Sequence, residues 1–216
     1  MKTHKKFDFS EVVEFDKHIA MSIPNYDGLI DIVTAFFLEL MPPTGTCIDI
    51  GCSTGSLLNS LSLMTKGTYK GVDLVDFEGD KNFHFEQGDG VDFLAGQSGA
   101  DIIISLFTLQ FLGKNRRKDA LREIGRLVDE GGYAVIAEKL YMGDALTNGV
   151  FHRRHMMSKR KVFLDGDILD KDEALFGSMY CSDSESAEIE YASIGKATRI
   201  RQSYNFAATI IRPKGE

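Results

Sequence analysis

Apolar positions along the chain fall into two kinds of spacing. Over residues 25 to 41 they recur at Leu29, Ile32, Val33, Phe36, Phe37 and Leu40, the interval of an amphipathic helix that buries one face. The run stops at Pro42-Pro43, because proline lacks the amide donor and clashes with the preceding turn. A weaker helical pattern precedes it, from about residue 10 to 23. Beyond the prolines the spacing becomes strand-like at 46 to 51, 69 to 75 and 83 to 89. A continuous apolar run, "DIIISLF", follows at 101 to 107, and "YAVIAEKL" at 133 to 140 reads as a fifth strand. Continuous apolar runs suit strands covered on both faces, as in a parallel sheet. Helical segments intervene at 56 to 64 and 116 to 132, the second closed by Gly131-Gly132, which can adopt the left-handed geometry that ends helices.

This alternation predicts an α/β layer with right-handed crossovers. From about 143 to 182 the pattern is lost, and that stretch reads as helices and loops inserted beside the sheet. A helix at 182 to 195 then leads into two strand-like runs, 196 to 205 and 206 to 214, joined tightly enough to form an antiparallel hairpin at the sheet edge. The expected organisation is one domain over 1 to 216, with amino-terminal helices at 10 to 41 and a helical insert at 143 to 182.

Composition narrows the class. Hydrophobic residues at 43%, charged residues at 26% and four prolines describe a folded globule. The net charge of -7 argues against a broad grip on a phosphate backbone but leaves room for a local basic patch. Cys47, Cys52 and Cys181 include no CxxC pair, as expected of reduced thiols in a cytoplasmic protein without a metal site. Residues 1 to 15 carry no apolar run suited to a signal peptide, and nothing later approaches the ~20 apolar residues of a membrane span.

The candidate chemistry begins at "CIDIGCSTGS", residues 47 to 56. A strand running into Gly51 and Gly55 lets backbone approach a ligand, with helix amides behind it. Ser53 and Ser56 stand where a dinucleotide fingerprint needs glycine, and no lysine follows Gly55 as a P-loop requires. Asp73 ends the second strand, 22 residues after Gly51, near the ~20-residue interval at which an acidic side chain meets ribose hydroxyls. Asp89 follows the third strand, where it could face an adenine amino group or cap the next helix. A glycine loop and two strand-end acids without a pyrophosphate site fit S-adenosylmethionine better than a nicotinamide dinucleotide.

At this point the sequence resembles the class I S-adenosylmethionine-dependent methyltransferases, which implies a Rossmann-like, seven-stranded, mostly parallel sheet with an antiparallel last hairpin and helices on both faces. Several motifs, in one order over nearly the whole chain, resemble the carboxy-S-adenosylmethionine synthase family: "SIPNYD" at 22 to 27, "DIGCSTG" at 49 to 55, "FTLQFL" at 107 to 112, "DEGG" at 129 to 132, "AEK" at 137 to 139, "SDS" at 182 to 184 and "YNF" at 204 to 206. That family makes carboxy-S-adenosylmethionine from S-adenosylmethionine and prephenate for wobble-uridine modification of tRNA. The resemblance implies a homodimer and places Tyr26, Gly51, Cys52, Ser53, Asp73, Leu74 and Asp89 at cofactor-contacting positions. Asp49 and Gly55 belong to the same loop motif and join them as cofactor candidates.

The chain departs from the family twice. Leu106, also a cofactor-wall candidate, stands where the family has asparagine. Where a lysine-arginine pair grips the extra carboxylate of the family's product, this chain has Lys171-Asp172-Glu173, and a carboxylate facing a carboxylate is repulsive. Lys171 and the basic stretch 152 to 161, with Arg153 and Arg154, are therefore the candidates for holding an anionic acceptor or a nucleic acid. Glu138, Lys139 and Tyr141, where the fifth strand ends, could orient an acceptor or act as a general base, although charged residues at strand ends are usually only solvated. An intact cofactor loop beside an altered clamp favours methyl transfer. Carboxy-S-adenosylmethionine synthesis with a relocated clamp and a non-catalytic S-adenosylmethionine- or RNA-binding module remain open, and no catalytic base is assigned.

Overall fold

Seven strands form one sheet in the computed structural model, which describes residues 14–175 and 177–215. They are β1 (Thr46–Ile50), β2 (Thr68–Asp73), β3 (His84–Gln87), β4 (Ile102–Leu106), β5 (Tyr133–Lys139), β6 (Lys196–Ser203) and β7 (Phe206–Arg212). Their spatial order is β3-β2-β1-β4-β5-β7-β6. The first five run parallel, and β7 lies antiparallel between β5 and β6. Strand order reverses between β1 and β4, so a crevice opens beyond their carboxyl ends.

Among the described residues eight α-helices complete the layers: α1 (Phe15–Ser22), α2 (Tyr26–Leu40), α3 (Ser56–Ser62), α4 (Gly90–Ala95), α5 (Lys114–Asp129), α6 (Ala145–Lys159), α7 (Asp165–Leu175) and α8 (Ser184–Ile194). Of residues 1 to 15, read for a leader, the first thirteen, and with them the start of the first predicted helix, lie outside the described residues. Among the described residues no helix is long and apolar enough to cross a membrane.

The apolar strands split their side chains between two cores, because successive residues point to opposite faces. Ile103, Ala134 and Ile136 pack with Leu94, Ile124, Leu127 and Tyr191 of α4, α5 and α8. Ile102, Ile104 and Val135 pack with Val33, Phe37, Leu58 and Leu61 of α2 and α3. Each fully buried aliphatic side chain stabilises the fold by about 1.5–3 kcal/mol.

A buried ion network ties three elements on the first face. Arg117 of α5 donates to both oxygens of Glu138 on β5 and to Glu190 of α8, and the Tyr191 hydroxyl also reaches Glu138. The sequence reading left Glu138 as a solvated or acceptor-orienting group. It is 1% exposed and committed to Arg117, because alternation along β5 turns it away from the face that carries Lys139.

Candidate functional site

Gly51 continues β1 into the crevice with φ +70°. The amides of Gly51 and Cys52 donate to the Val72 carbonyl, at 2.8 and 3.1 Å, so the loop is drawn toward β2. A Cβ on Gly51 would collide with the Thr108 side chain, whose hydroxyl donates to the Ile50 carbonyl at 2.9 Å. Ser53 also takes left-handed backbone, at φ 54°. Its amide donates to Asp73 Oδ2 at 2.9 Å, and the Val75 amide donates to Oδ1 at 3.0 Å. Asp73 is thereby oriented by the glycine loop and by its own strand end. Burial raises its pKa, against the pull of the Val75 and Ser53 amides.

These residues line a cavity of about 590 Å³. Gly51, Ser53, Asp73, Leu74, Asp89 and Leu106 are on its wall, together with the apolar side chains of Ile50, Val72 and Val91. The Ser53 hydroxyl is buried with no hydrogen-bond partner among the described residues. A buried unpaired hydroxyl costs about 1–3 kcal/mol, so the cradle fits a ligand that brings a polar atom to that loop. Tyr26, Asp49, Cys52 and Gly55 lie off the wall. Asp49 is 4% exposed, and its carboxyl is pushed well above the usual range by burial and then by the Asp73 charge. Burial and the Asp49 charge together push the Tyr26 phenol up to about 12. Gly55 leaves room for Phe83, and it too has positive φ.

Asp89 caps α4, accepting from the Val91 and Asp92 amides at 2.8 and 3.3 Å, and pairs with Arg116. All of these contacts fall on Oδ1. Burial pushes its pKa up, but the Val91 amide and Arg116 bring it below the usual range.

A second cavity, of about 530 Å³, adjoins the first, and Ile19, Phe107 and Phe111 are common to both walls. Phe107 holds left-handed backbone at φ 60° and packs edge-on against Phe206 with centroids 6.0 Å apart. The inner faces of α6 and α7 close this cavity with His155, Lys159, Lys171 and Asp172. The insert therefore walls a cavity. Lys171 and Tyr141 are on its lining, whereas Arg153 and Arg154 are exposed and lie on neither wall.

Sequence reasoning missed His18 and His155, whereas Lys139, offered as an acceptor-orienting residue, and Lys159, within the basic stretch, both lie on the lining of the second cavity. Lys171 Nζ meets His18 Nε2 and lies 3.2 Å from Ser22 Oγ. Burial and then the charges of Lys159 and Lys139 lower its pKa to about 8. His155 bonds the Ser22 carbonyl at 3.0 Å, and burial depresses its pKa to about 4. The available signal was "FTLQFL" itself. Phe107 partitions the cavities, Thr108 pins the glycine loop, and Gln110 Oε1 accepts the Lys139 amide at 2.8 Å. Among the described residues no group of three or more His, Cys, Asp or Glu side chains could hold a metal ion.

A methyltransferase-domain family model matches residues 21–190. The chain belongs to that family. As a member with this site, it is an S-adenosylmethionine-dependent transferase. This methyltransferase-domain protein is 30% identical to the carboxy-S-adenosyl-L-methionine synthase of Nitratiruptor sp. over 185 residues, covering 79% of this chain and 77% of that one. It is 26% identical to the Wolinella succinogenes protein of the same name, over an alignment covering 98% of this chain and 95% of that one. Its fold is similar to that of an O-methyltransferase family protein from Burkholderia thailandensis, with TM-score 0.61, 16% identity, and coverage of 88% of this chain and 57% of that one. A cyclopropane synthase from Mycobacterium tuberculosis matches with TM-score 0.56 and 16% identity over 82% of this chain and 62% of that one.

Proposed function

We propose that the protein transfers a methyl group from S-adenosylmethionine to a small anionic acceptor, as one domain with the cofactor in the first cavity and the acceptor in the second. The observation that carries this is the shared wall at Phe107 and Phe111. One side holds a glycine loop and a strand-end acid, and the other holds three lysines. The cofactor supplies an electrophilic methyl on a sulfonium. The Gly51–Ser53 backbone would cradle its methionine end, and Asp73 would accept from its ribose hydroxyls. Leu74, Val91 and Leu106 would flank its base. Phe107 and Phe111 exclude water between the cavities, and the lysines hold the acceptor so that alignment supplies most of the catalysis. The departing thioether is neutral, so little acid-base help is needed.

Mass spectrometry after incubation with S-adenosylmethionine and fractionated small carboxylates and phosphates tests this. The expected products are S-adenosylhomocysteine and an acceptor heavier by one methylene. A cofactor heavier by one carbon dioxide would overturn it in favour of carboxy-S-adenosylmethionine synthesis, and with it a part in tRNA wobble-uridine modification. That second reading is favoured by the relatives' names and by Lys159 and Lys171 on the second cavity. A non-catalytic binding module would turn over no cofactor. A nucleic-acid acceptor would use the exposed Arg153 and Arg154. Replacing both with alanine would then flatten the salt dependence of RNA or DNA binding. A cytoplasmic homodimer belongs to the same proposal, with Leu146, Val150 and Met157 exposed on α6 as an apolar contact face. Size-exclusion chromatography with light scattering checks the dimer.

A further inference from the structure

Three ammonium groups converge on the second cavity, and their surroundings differ. Lys159 is bound to Asp172 at 3.1 Å. Lys171 sits against His18 and Ser22. Lys139 ends β5 with its Nζ 5.9 Å from the centre of the Phe206 ring. Among the described residues no carboxylate forms an ion pair with it. An unpaired cation in partly desolvated surroundings is costly, yet the chain fixes this one from both sides. Gln110 accepts its amide at 2.8 Å. Next to it, the Leu140 amide donates to the Asn205 carbonyl at 2.6 Å, and the Leu140 carbonyl accepts from Asn205 Nδ2 at 2.8 Å.

Lys139 is also well placed for chemistry. The Phe107 amide donates to the Ala137 carbonyl at 2.7 Å, so the residue that divides the two cavities is bonded to the backbone two positions before Lys139. The other charged and titratable groups on this cavity come from every neighbouring element: His18 of α1, His152, His155 and Lys159 of α6, Lys171 and Asp172 of α7, and Tyr141 and Tyr180 from the loops. Cys181 lies within electrostatic reach of Lys139. Asp172 is the one carboxylate in that set, and it is engaged by Lys159.

We propose that Lys139 is the specificity-determining cation of this site, binding a carboxylate or phosphate oxygen of the acceptor while Lys159 stays paired with Asp172. This deepens the reading of the second cavity as an acceptor site and rests on it. Burial disfavours the charged form of Lys139, and an oxyanion arriving there would offset that cost by pairing with the ammonium.

The test is calorimetric titration of the full chain with benzoate, malonate and inorganic phosphate. Wild type is expected to bind at least one of these anions. Lys139→Met should bind it roughly ten- to a hundredfold more weakly, the loss of one charge-assisted hydrogen bond. Lys139→Arg should retain affinity within a few fold. Thermal melts of both variants verify folding, and a variant that melts early is replaced by Lys139→Gln. Undiminished binding by folded Lys139→Met overturns the assignment of Lys139 and leaves the acceptor cavity standing. Failure of wild type to bind any of the three overturns both.

Discussion

Asp73 makes the residue-scale argument most directly, since the Ser53 and Val75 amides fix its two oxygens before any ligand arrives. Asp73→Ala should weaken S-adenosylmethionine binding by tenfold or more, the loss of a charge-assisted contact plus a loosened loop, as read by calorimetry. Gly51→Ala forces a side chain into left-handed backbone and onto Thr108. It should cost at least about 1–2 kcal/mol in urea unfolding, and Thr108→Ala should recover only the steric part. His155 gives a pH signature. Its folded pKa, about 4, lies below the ordinary 6.5, so the unfolded chain binds more protons between those values. Stability is therefore unaffected by His155 above about 6.5, falls as pH drops through the window, and levels off below about 4. Melts of His155→Gln should show a shallower decline over that range. The glycine loop and Asp73 were legible because backbone freedom and a strand-end acid leave marks in spacing. His18 and His155 were not, because only the packing of α1 against α6 and α7 gives an isolated histidine its surroundings.

At the scale of elements, the strands and the long helices followed from apolar periodicity because each buries a regular face. The insert resisted that reading for a physical reason. α6 turns His155 and Lys159 inward, where they are buried, and leaves Leu146, Val150 and Met157 exposed. A helix that turns polar side chains into a cavity thus inverts the pattern on which sequence reading depends. The β5–α5–α8 junction was likewise hidden, because Arg117 looks like one more charge on a charged helix until Glu138 and Glu190 close around it. Arg117→Met should leave Glu138 buried without its cation and cost about 3–5 kcal/mol by denaturant unfolding. Adding Glu138→Gln should recover much of that loss, since the stranded charge is then gone. An unchanged midpoint in the single variant would show the network to be solvated in solution.

For the whole molecule, the sheet sets two cavities side by side. The glycine loop and β2 end line one, β5 and the insert line the other, and Phe107 and Phe111 line both. Hydrogen exchange should report this division. S-adenosylmethionine is expected to protect residues 51–56, 73–75 and 88–91. Benzoate or phosphate should protect 139–159 and 171–180, with 107–111 slowed by either. Identical protection by both kinds of ligand would mean one site rather than two. The placement of β7 between β5 and β6 also belongs to this scale. Spacing revealed an antiparallel hairpin but could not say which of its strands faces inward. The nearly complete burial of β7 against the partly exposed β6 settles that.

Phe107 carries a consequence that reaches past binding. A bulky side chain kept at φ 60° stores backbone energy that glycine would release, on the order of 1 kcal/mol. Exchanging it for glycine would relieve that strain but strip a buried ring from the core and from Phe206, a loss of about 3–5 kcal/mol, and would remove a side chain that lines both cavities. The strain is outweighed by the packing of the ring, which on the proposed reading also stands between the cofactor and the acceptor. Stability and separation of the two cavities therefore select the same side chain, and a natural variant that lost it would be expected to lose both together.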